Sequence, residues 1–576
     1  MSLPMLAESG AAAGDDKTVA TRTISHPALL GLGSGLALWC TFPPTDWNWL
    51  VWVALTPLFL LVTSQRSRAA IYFGSWFGGM AFWLLAISWV RLTDESAWLA
   101  WIVMAFVLSL WWPGFVALAR LAVLRLKLPL MVAAPILWVG LEYLRAYAFT
   151  GFPWYYLAHS QHDVLPVIQI ADLTGALGIS WLIALVNSCC ADFLTMPLLR
   201  PTPQGPRPTL AQTRRLVFVA LLVTGTLLYG AVRLSTARFR PGPRLALLQS
   251  SVPQSIKLQD RAPVIEEVYK GLIAKAMAAE SRPDLLVWPE TSYPYHPFGT
   301  IDAKVDSALF RRLVQEIDPE TSPDLWRGRI DQLSRHLHGW TDELKVPMLV
   351  GTTLHEFRPS GHAKYNAAVL FEPGKSSIQS YYKIHLVPFG EYVPLISYFP
   401  WLTALTPYHG TRVPTLDFGH EPRTIDLGPY RIATAICFED SVPHVVREFF
   451  AHPKDGRQPD LLVNISNDGW FHGSAEHDMH LAVSAFRAVE NRVPIARAVN
   501  TGISAFINGN GRVVRSLAKS TDKVPVAGVL ADFVELDDRS SVYSQWGDWV
   551  GFGCLCVSIG LLPLAYLRGR SQPLAV

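Results

Sequence analysis

Three side chains of different chemistry each follow a short apolar run in the polar half of the chain: Glu290, Lys383 and Cys437. Cys437 is the one cysteine between residues 234 and 548, since the other five lie in strongly apolar segments. A thiol is a strong nucleophile once ionised, but its ordinary pKa of about 8.5 leaves only a few per cent as thiolate at neutral pH. Cys437 therefore needs a base or a cation beside it to react.

Glu290 and Lys383 have the properties that such a thiol requires. A carboxylate at the end of an apolar strand can accept the thiol proton as a general base. A lysine supplies a cation that stabilises both the thiolate and the negative oxygen of a tetrahedral intermediate. Glu391, eight residues after the lysine, can hold that lysine charged and oriented. Taken singly, each residue also fits an ordinary role: a buried core cysteine, a turn glutamate, a solvated lysine and a loop carboxylate.

Apolar segments long enough to cross a bilayer, or nearly so, surround this polar block. They predict about eight membrane helices, at residues 27–44, 48–64, 70–90, 97–119, 128–147, 166–195, 215–233 and 549–567. The chain is 50% hydrophobic, and many of its 21 tryptophans lie near the ends of these segments, which is typical of an interfacial aromatic belt. The net charge of only +3 gives no indication of nucleic-acid binding.

Positive charges are distributed unevenly between the loops at the two ends of the predicted helices. Eleven arginines and lysines lie on the side of the N-terminus, and only Arg91 and Arg145 lie on the other. The positive-inside rule therefore predicts that both termini are cytoplasmic and that the polar block lies outside the cytoplasm. A cleaved signal peptide is the alternative for the N-terminus, but no clear small-residue cleavage site follows the first apolar run. The predicted regions are a cytoplasmic tail (1–26), a membrane domain of about seven helices (27–233), an external domain (234–548), a last membrane helix (549–567) and a cytoplasmic tail (568–576).

The external block alternates short apolar strands with amphipathic helices, which indicates an α/β domain. Strands are predicted at 245–249, 285–288, 348–351, 367–371, 431–437, 461–465, 495–499 and 504–507. Helices are predicted at 262–280, 329–344, 442–450 and 475–491. The stretch 301–335 is charged and interrupted by Pro319 and Pro323, so we expect it to be a surface insertion.

The motifs around the three residues resemble those of the nitrilase (carbon–nitrogen hydrolase) superfamily. Over nearly the whole chain they are closer to the apolipoprotein N-acyltransferase family of membrane enzymes. The most specific segment is His385–Pro394, which lies next to Lys383. Other matching segments are Phe42–Trp47, Gly151–Trp154, Val252–Ile256, Val287–Glu290, Ser466–Trp470 and Asn500–Ile503. Two positions depart from the family pattern, since Leu258 stands where relatives often have tryptophan and Phe438 replaces a common tyrosine.

This resemblance implies a fold, a reaction and a set of site residues. The fold is an integral membrane α-helical bundle joined to an extracytoplasmic α/β nitrilase-like domain, an αββα sandwich. The reaction transfers an acyl chain from a phospholipid, through a cysteine thioester, to the N-terminal α-amine of a diacylated apolipoprotein. The implied catalytic residues are Glu290, Lys383 and Cys437, and the implied supporting residues are Glu391, Glu439, Asn366 and Trp470. No cofactor and no metal are expected, and the protein is expected to act as a monomer in the bacterial inner membrane.

Two other functions stay open on the sequence. A membrane-tethered amidase or nitrilase would use water as the acceptor, and it would share the acyl-enzyme chemistry. A transporter or scaffold would carry a decayed enzyme domain, against which the intact site residues argue. The many predicted membrane helices favour a lipid-linked acceptor over water.

The predicted function assigns no role to some of the polar residues. His477 and His480 lie three residues apart on a predicted helix, with Glu476 beside them. Two imidazoles without a third ligand are more typical of a polar helix face than of a metal site. We therefore interpret these two histidines as part of a polar helix face. Asp172, near the end of a predicted span, is expected to be interfacial or structural within the bundle.

Overall fold

A computed structural model describes residues 26–95, 97–195, 199–200, 207–259, 261–396, 398–405, 415–453, 455–517 and 526–571. The predicted N-terminal tail up to residue 25 and the last five residues of the C-terminal tail lie outside this part of the chain. The described chain contains a bundle of apolar helices and a domain built on two β-sheets.

Six helices in the described chain are long and apolar enough to cross a membrane. They are Arg68–Ala86, Ala97–Arg125, Leu130–Tyr147, Ala171–Thr195, Leu210–Ser235 and Trp549–Arg568. Two shorter apolar helices, Pro27–Trp39 and Asn48–Thr63, occupy the positions of the first two predicted spans. An apolar helix therefore lies at each predicted position, but the count of about eight spans is not confirmed.

The first short helix is held in the bundle by close backbone contact. A Cβ atom on Gly31 would lie 1.8 Å from the carbonyl oxygen of Gly74, and one on Gly78 would lie 2.1 Å from the carbonyl oxygen of Gly31. Only glycine permits two helix backbones to approach so closely, and such small-residue contacts are common between membrane helices. The glycines of Pro27–Trp39 thus form its contact with Arg68–Ala86.

The polar block forms two sheets that pack face to face, and each sheet has a parallel centre. The strands of the first sheet, in spatial order, are Gly528–Asp537, Phe239–Gln249, Leu285–Val287, Met348–Arg358, Gly361–Phe371 and Gln379–Tyr382, with Phe298–Ile301 paired to Met348–Arg358. Those of the second sheet are Val513–Ser516, Ala505–Ile507, Ile495–Val499, Leu461–Ser466, Tyr430–Ile436 and Ile425–Leu427.

Alternation along the strands explains how the two sheets form a sandwich. Leu245 and Leu247 point into the core between the sheets, whereas Ala246 and Leu248 point to the opposite face. That outer face is covered by helices Ala262–Met277 and Pro323–Leu344. Helices Pro443–Ala451 and Glu476–Asn491 pack on the second sheet. The predicted αββα sandwich is confirmed, with every predicted strand and helix of this domain present and only the ends displaced.

The predicted insertion 301–335 is largely helical. It contains helix Ser307–Ile317 and the start of helix Pro323–Leu344. Both pack on the extended hairpin of strands Met348–Arg358 and Gly361–Phe371 through a small separate core. The buried residues of that core are Val305, Phe310, Leu313, Val314, Trp326, Ile330 and Phe357.

Helix Glu476–Asn491 also joins the sandwich to the helical bundle. Its residues Met479, Val483 and Phe486 are buried in one cluster with the membrane helices. Beside it, Asp172 of a membrane helix accepts hydrogen bonds from Arg492, with Nη2 at 2.6 Å and Nε at 2.9 Å. Asp172 is therefore structural, because it ties together two regions that lie 320 residues apart in the chain.

Candidate active site

The ends of three strands bring the predicted catalytic residues together. Glu290 lies three residues beyond strand Leu285–Val287. Lys383 and Cys437 directly follow strands Gln379–Tyr382 and Tyr430–Ile436. The first two strands belong to one sheet and the third to the other, so the site lies across the sandwich.

Lys383 is enclosed by two carboxylates. Its Nζ lies 3.2 Å from Oε1 of Glu290 and 2.9 Å from Oε2 of Glu391, and the lysine is only 1% exposed. Burial by itself lowers the pKa of the ammonium, but the charges of Glu290 and Glu391 outweigh burial and raise the pKa well above its usual value. Lys383 is therefore a permanent cation in the site.

Asn366, on strand Gly361–Phe371, orients the two carboxylates. Its Nδ2 donates to Oε1 of Glu290 at 2.7 Å and to Oε1 of Glu391 at 2.8 Å. A main-chain hydrogen bond of 2.9 Å from Lys383 N to Asn366 O joins their two strands at the same level. The structure thus places this supporting residue between the two glutamates and beside the lysine.

Cys437 begins a short 3₁₀ turn, Cys437–Ser441, and has a left-handed backbone with φ of +54°. This conformation costs a residue with a side chain roughly 1–2 kcal/mol and is typical of functional sites. Burial raises the pKa of the half-buried thiol well above its usual value, and the charge of Glu290 raises it further, whereas Lys383 opposes them. The resting cysteine is therefore a protonated thiol, with a carboxylate and a cation acting on it.

Glu439 connects the cysteine turn to the lysine segment. Its carboxylate accepts main-chain N–H bonds from Ile436 at 2.7 Å, Ile384 at 2.6 Å and His385 at 3.0 Å. The Tyr381 hydroxyl donates to it at 2.9 Å. Since these donors flank Cys437 on one side and Lys383 on the other, Glu439 holds the two segments together.

Trp470 lies half-buried in the turn Asp468–Phe471 that follows strand Leu461–Ser466. The preceding Asn467 donates to Oε1 of Gln254 at 3.1 Å. Asn500 donates to Oδ1 of Asn467 at 2.9 Å. These amides hold together three loops at the same end of the sandwich.

Two residues near the site were not singled out in the sequence. Lys257 is the first, since its Nζ donates to the main-chain oxygen of Glu290 at 3.4 Å. Burial lowers the pKa of this ammonium to about 8, although the charge of Glu290 opposes the shift. The segment Val252–Ile256, which resembles the family, ends one residue before it and was the available signal.

Trp154 is the second, and it comes from the membrane part of the chain. Its ring stacks on Phe438 with centroids 6.2 Å apart and planes at 17°. It also lies 5.6 Å from the ring of His480. Phe438, which follows Cys437, is thus packed against the membrane domain, and the segment Gly151–Trp154 was the signal for Trp154 in the sequence.

The interpretation of His477 and His480 as a polar helix face is wrong. Each is only 1% exposed, because this helix is buried between the sandwich and the bundle. Ligand atoms of Asp468, Glu476 and His480 lie within 4.8 Å of one another, a separation that a metal ion can bridge. Arg497 already supplies positive charge there, with Nη2 3.5 Å from Asp468 Oδ2, so the cluster contains a cation of its own.

Two family models match the two parts of the chain. Residues 34–189 match the family described as apolipoprotein N-acyltransferase N-terminal domain, and residues 244–535 match carbon–nitrogen hydrolase. A carbon–nitrogen hydrolase superfamily protein of Xanthomonas campestris, 15% identical, has a TM-score of 0.32 and covers 56% of this chain and 96% of its own. A nitrilase superfamily member of Saccharomyces cerevisiae, also 15% identical, has a TM-score of 0.33 and covers 59% and 97%.

Curated relatives match over both parts of the chain. The apolipoprotein N-acyltransferase of Geobacter metallireducens is 34% identical over 554 residues, which cover 94% of this chain and 95% of the relative. The enzyme of the same name from Rhodopirellula baltica is 29% identical and covers 90% of this chain and 94% of the relative. With membrane-length apolar helices and a carbon–nitrogen hydrolase domain in one chain, this protein belongs to the apolipoprotein N-acyltransferase family.

Proposed function

We propose that this protein transfers an acyl chain from a phospholipid to the N-terminal α-amine of the diacylglyceryl-cysteine of apolipoproteins. Cys437 carries the acyl chain between the two substrates as a thioester. The observation that carries the proposal is the buried Lys383 cation, held by Glu290 and Glu391 beside a cysteine in a left-handed turn. The membrane helices and the names of the relatives support a lipid-linked acceptor.

In the first half-reaction, Glu290 accepts the thiol proton of Cys437. The thiolate attacks an ester carbonyl of the phospholipid, and Lys383 stabilises the oxyanion of the tetrahedral intermediate. The ester C–O bond then breaks, and Glu290 returns its proton to the departing alkoxide. A lysophospholipid leaves, and the acyl group remains on sulfur.

In the second half-reaction, the α-amine of the apolipoprotein attacks the thioester. Its pKa near 8 leaves a useful neutral fraction without extreme tuning. Glu290 accepts the proton of the attacking amine, the C–S bond breaks, and an amide forms while the cysteine is regenerated. Because the first product leaves before the second substrate reacts, the kinetics are ping-pong.

The same proposal includes an orientation in the membrane. Arg120 Nη1 donates to carbonyl oxygens of Leu61, Val62 and Ser64, and Arg568 Nη1 donates to Leu126. These contacts support placing the excess of positive charge at one end of the bundle, which is the cytoplasmic end under the positive-inside rule. Both termini are then cytoplasmic, and the domain 234–548 is periplasmic.

Apolar side chains near the site support transfer to a lipid-linked amine over hydrolysis. After Glu391 the chain exposes four large apolar residues: Leu395, Tyr398, Phe399 and Trp401. Exposed apolar clusters mark membrane or partner contact sites. A cleft mouth that meets the bilayer excludes water from the thioester, and this exclusion favours the amine as acceptor.

Intact-mass measurement of the purified, full-length protein tests this mechanism. Incubation with phospholipid alone should add the mass of one acyl chain, and hydroxylamine should remove it. Cys437→Ala should form no adduct, whereas Cys556→Ala, which removes an exposed thiol of the last helix, should form it normally. Absence of the adduct in folded wild-type protein would contradict the thioester.

Addition of an acceptor to the acylated protein distinguishes an acyltransferase from a hydrolase. A diacylated lipopeptide with a free N-terminus should consume the adduct and gain an amide-linked acyl chain. Release of free fatty acid at the same rate with and without the lipopeptide would instead identify water as the acceptor.

A further inference from the structure

The strand register places Ser466 beside the nucleophile. Strands Tyr430–Ile436 and Leu461–Ser466 are parallel neighbours in which Ile436 pairs with Ile465, so the next residues, Cys437 and Ser466, lie side by side. Asn464 on the same strand donates to the carbonyl oxygen of Cys437 at 3.1 Å, which holds the two strand ends together. The hydroxyl of Ser466 donates to Oδ1 of Asp468 at 2.5 Å.

Behind Ser466 a chain of buried polar groups returns to the cysteine turn. Nδ1 of His480 lies 3.4 Å from Oδ1 of Asp468, and its Nε2 lies 2.8 Å from Oδ1 of Asp440. Asp440 belongs to the turn Cys437–Ser441. All three of these side chains are at most 2% exposed, so water does not screen these contacts.

The charges of this chain balance. Arg497 contacts both carboxylates, with Nη1 2.8 Å from Asp440 Oδ2 and Nη2 3.5 Å from Asp468 Oδ2. Burial and the charge of Asp468 raise the pKa of the neighbouring Glu476 well above its usual value, so Glu476 is neutral. Two carboxylates therefore face two cations, His480 and Arg497. Asp468 keeps both cations even when it loses the hydrogen bond from Ser466.

We propose that Ser466 is a further polar residue of the active site, whose hydroxyl turns from Asp468 to the sulfur of Cys437 when the thiol ionises. His480 is the positioning residue, because it keeps Asp468 ionised and paired while the serine proton points to the sulfur. The inference rests on the proposed role of Cys437. No covalent bond of Ser466 changes, and the thiol proton still passes to Glu290.

The hydrogen bond gives the thiolate a donor that does not depend on Lys383. Burial and the charges of Glu290 and Asp468 raise the pKa of the Cys437 thiol, whereas Lys383 and the Ser466 hydroxyl lower it. A hydrogen bond to a charged group lowers the pKa of that group by about one to two pH units, and the bond that Ser466 gives up to Asp468 offsets part of this shift. The net effect is about one pH unit, which increases the thiolate fraction about tenfold.

The pH dependence of Cys437 alkylation tests this donor without any lipid substrate. Full-length protein in detergent is treated with iodoacetamide across a pH series, and the Cys437 peptide is quantified by mass spectrometry. Ser466→Ala should raise the midpoint by about one pH unit. Ser466→Thr keeps the hydroxyl and should restore the wild-type midpoint.

The turn Cys437–Ser441 provides a matched control. Ser441 is fully buried and, in the part of the chain that the structure describes, its hydroxyl has no hydrogen-bond partner. Ser441→Ala should leave the midpoint unchanged. If Ser466→Ala does not fold, Ser466→Gly carries the same test. An unchanged midpoint in a folded variant that lacks the hydroxyl would overturn the proposal.

His480→Gln tests the positioning role. It should shift the midpoint in the same direction as Ser466→Ala, and the double variant should shift no further than Ser466→Ala alone. A merely structural defect would add to the serine effect instead. Thioester formation in the same wild-type sample is the independent measure: a shift without a thioester refutes the proposed function only, and a thioester without a shift refutes this inference only.

Discussion

The Lys383 ammonium and the Glu391 carboxylate form a buried ion pair, with Nζ 2.9 Å from Oε2. The same carboxylate oxygen accepts the main-chain N–H of Val387 at 2.8 Å, so the glutamate is held by its own loop. Because Glu290 approaches the lysine from another strand end, removal of the cation leaves two buried carboxylates without their charged partner.

Lys383→Met should abolish most acylation of Cys437. The variant lacks the charge that we propose stabilises the thiolate and the oxyanion, and losing one such stabilising group lowers rates about 100- to 1,000-fold. The rate of acyl-adduct formation, followed by intact mass, measures the effect. Lys375→Met is the control, since Lys375 pairs with Glu372 at the surface. Adduct formation at the wild-type rate in Lys383→Met would be incompatible with the assigned role.

Trp154→Ala should slow acylation although the residue belongs to the membrane part of the chain. Its ring packs on Phe438, the residue after Cys437, so its loss allows the cysteine turn to move. Misplacement of a reacting group by about 1 Å can cost about 100-fold in rate. Single-turnover acylation measures the loss, and Trp98→Ala, at an exposed position, provides the comparison. Equal rates in both variants would show that the stacking does not position the turn.

Asp172→Asn should weaken the junction between the bundle and the sandwich. It leaves Arg492 buried without its charged partner, and breaking a buried pair costs about 3–5 kcal/mol. The thermal unfolding midpoint should fall clearly. Asp192→Asn should have a smaller effect, because its partner Arg215 is partly exposed to solvent. A midpoint that is the same in Asp172→Asn and wild type would argue against a supporting role for this ion pair.

The stability of the protein should fall as pH rises from about 6.5 to 10. Burial and Arg497 lower the pKa of His480, but Asp440 and Asp468 outweigh them and raise it to about 10. The folded state therefore binds a proton that the unfolded state, with an ordinary histidine pKa near 6.5, releases in this window. The contribution is fully present below pH 6.5 and is lost as pH approaches 10, with a size on the order of a few kcal/mol.

Unfolding midpoints measured across this pH range check that sign. His480→Gln should have a flatter profile than wild type between pH 6.5 and 10. His355→Gln is the matched control, because burial lowers the pKa of His355 to about 3 and its titration falls in a different window. Parallel profiles for wild type and His480→Gln would show that His480 does not carry this proton.

Much of the architecture could be predicted because it depends on local patterns in the sequence. Apolar runs of bilayer length, strands that alternate with amphipathic helices, and polar residues at strand ends each depend on neighbouring residues. Those patterns predicted an α/β domain and the closeness of Glu290 to Lys383, whereas the αββα sandwich was implied by the family resemblance. The family resemblance added Asn366, which the structure places between Glu290 and Glu391.

Local patterns do not report contacts between distant segments. The burial of His480, the pair of Asp172 with Arg492 and the stacking of Trp154 on Phe438 join segments that are hundreds of residues apart in the chain. The first span likewise became a short helix that packs through Gly31. The sequence alone thus determined which elements form and which chemistry they carry. Tertiary packing decided which buried charges meet. Only the folded arrangement excludes water from these charges, and each charge then needs an oppositely charged partner.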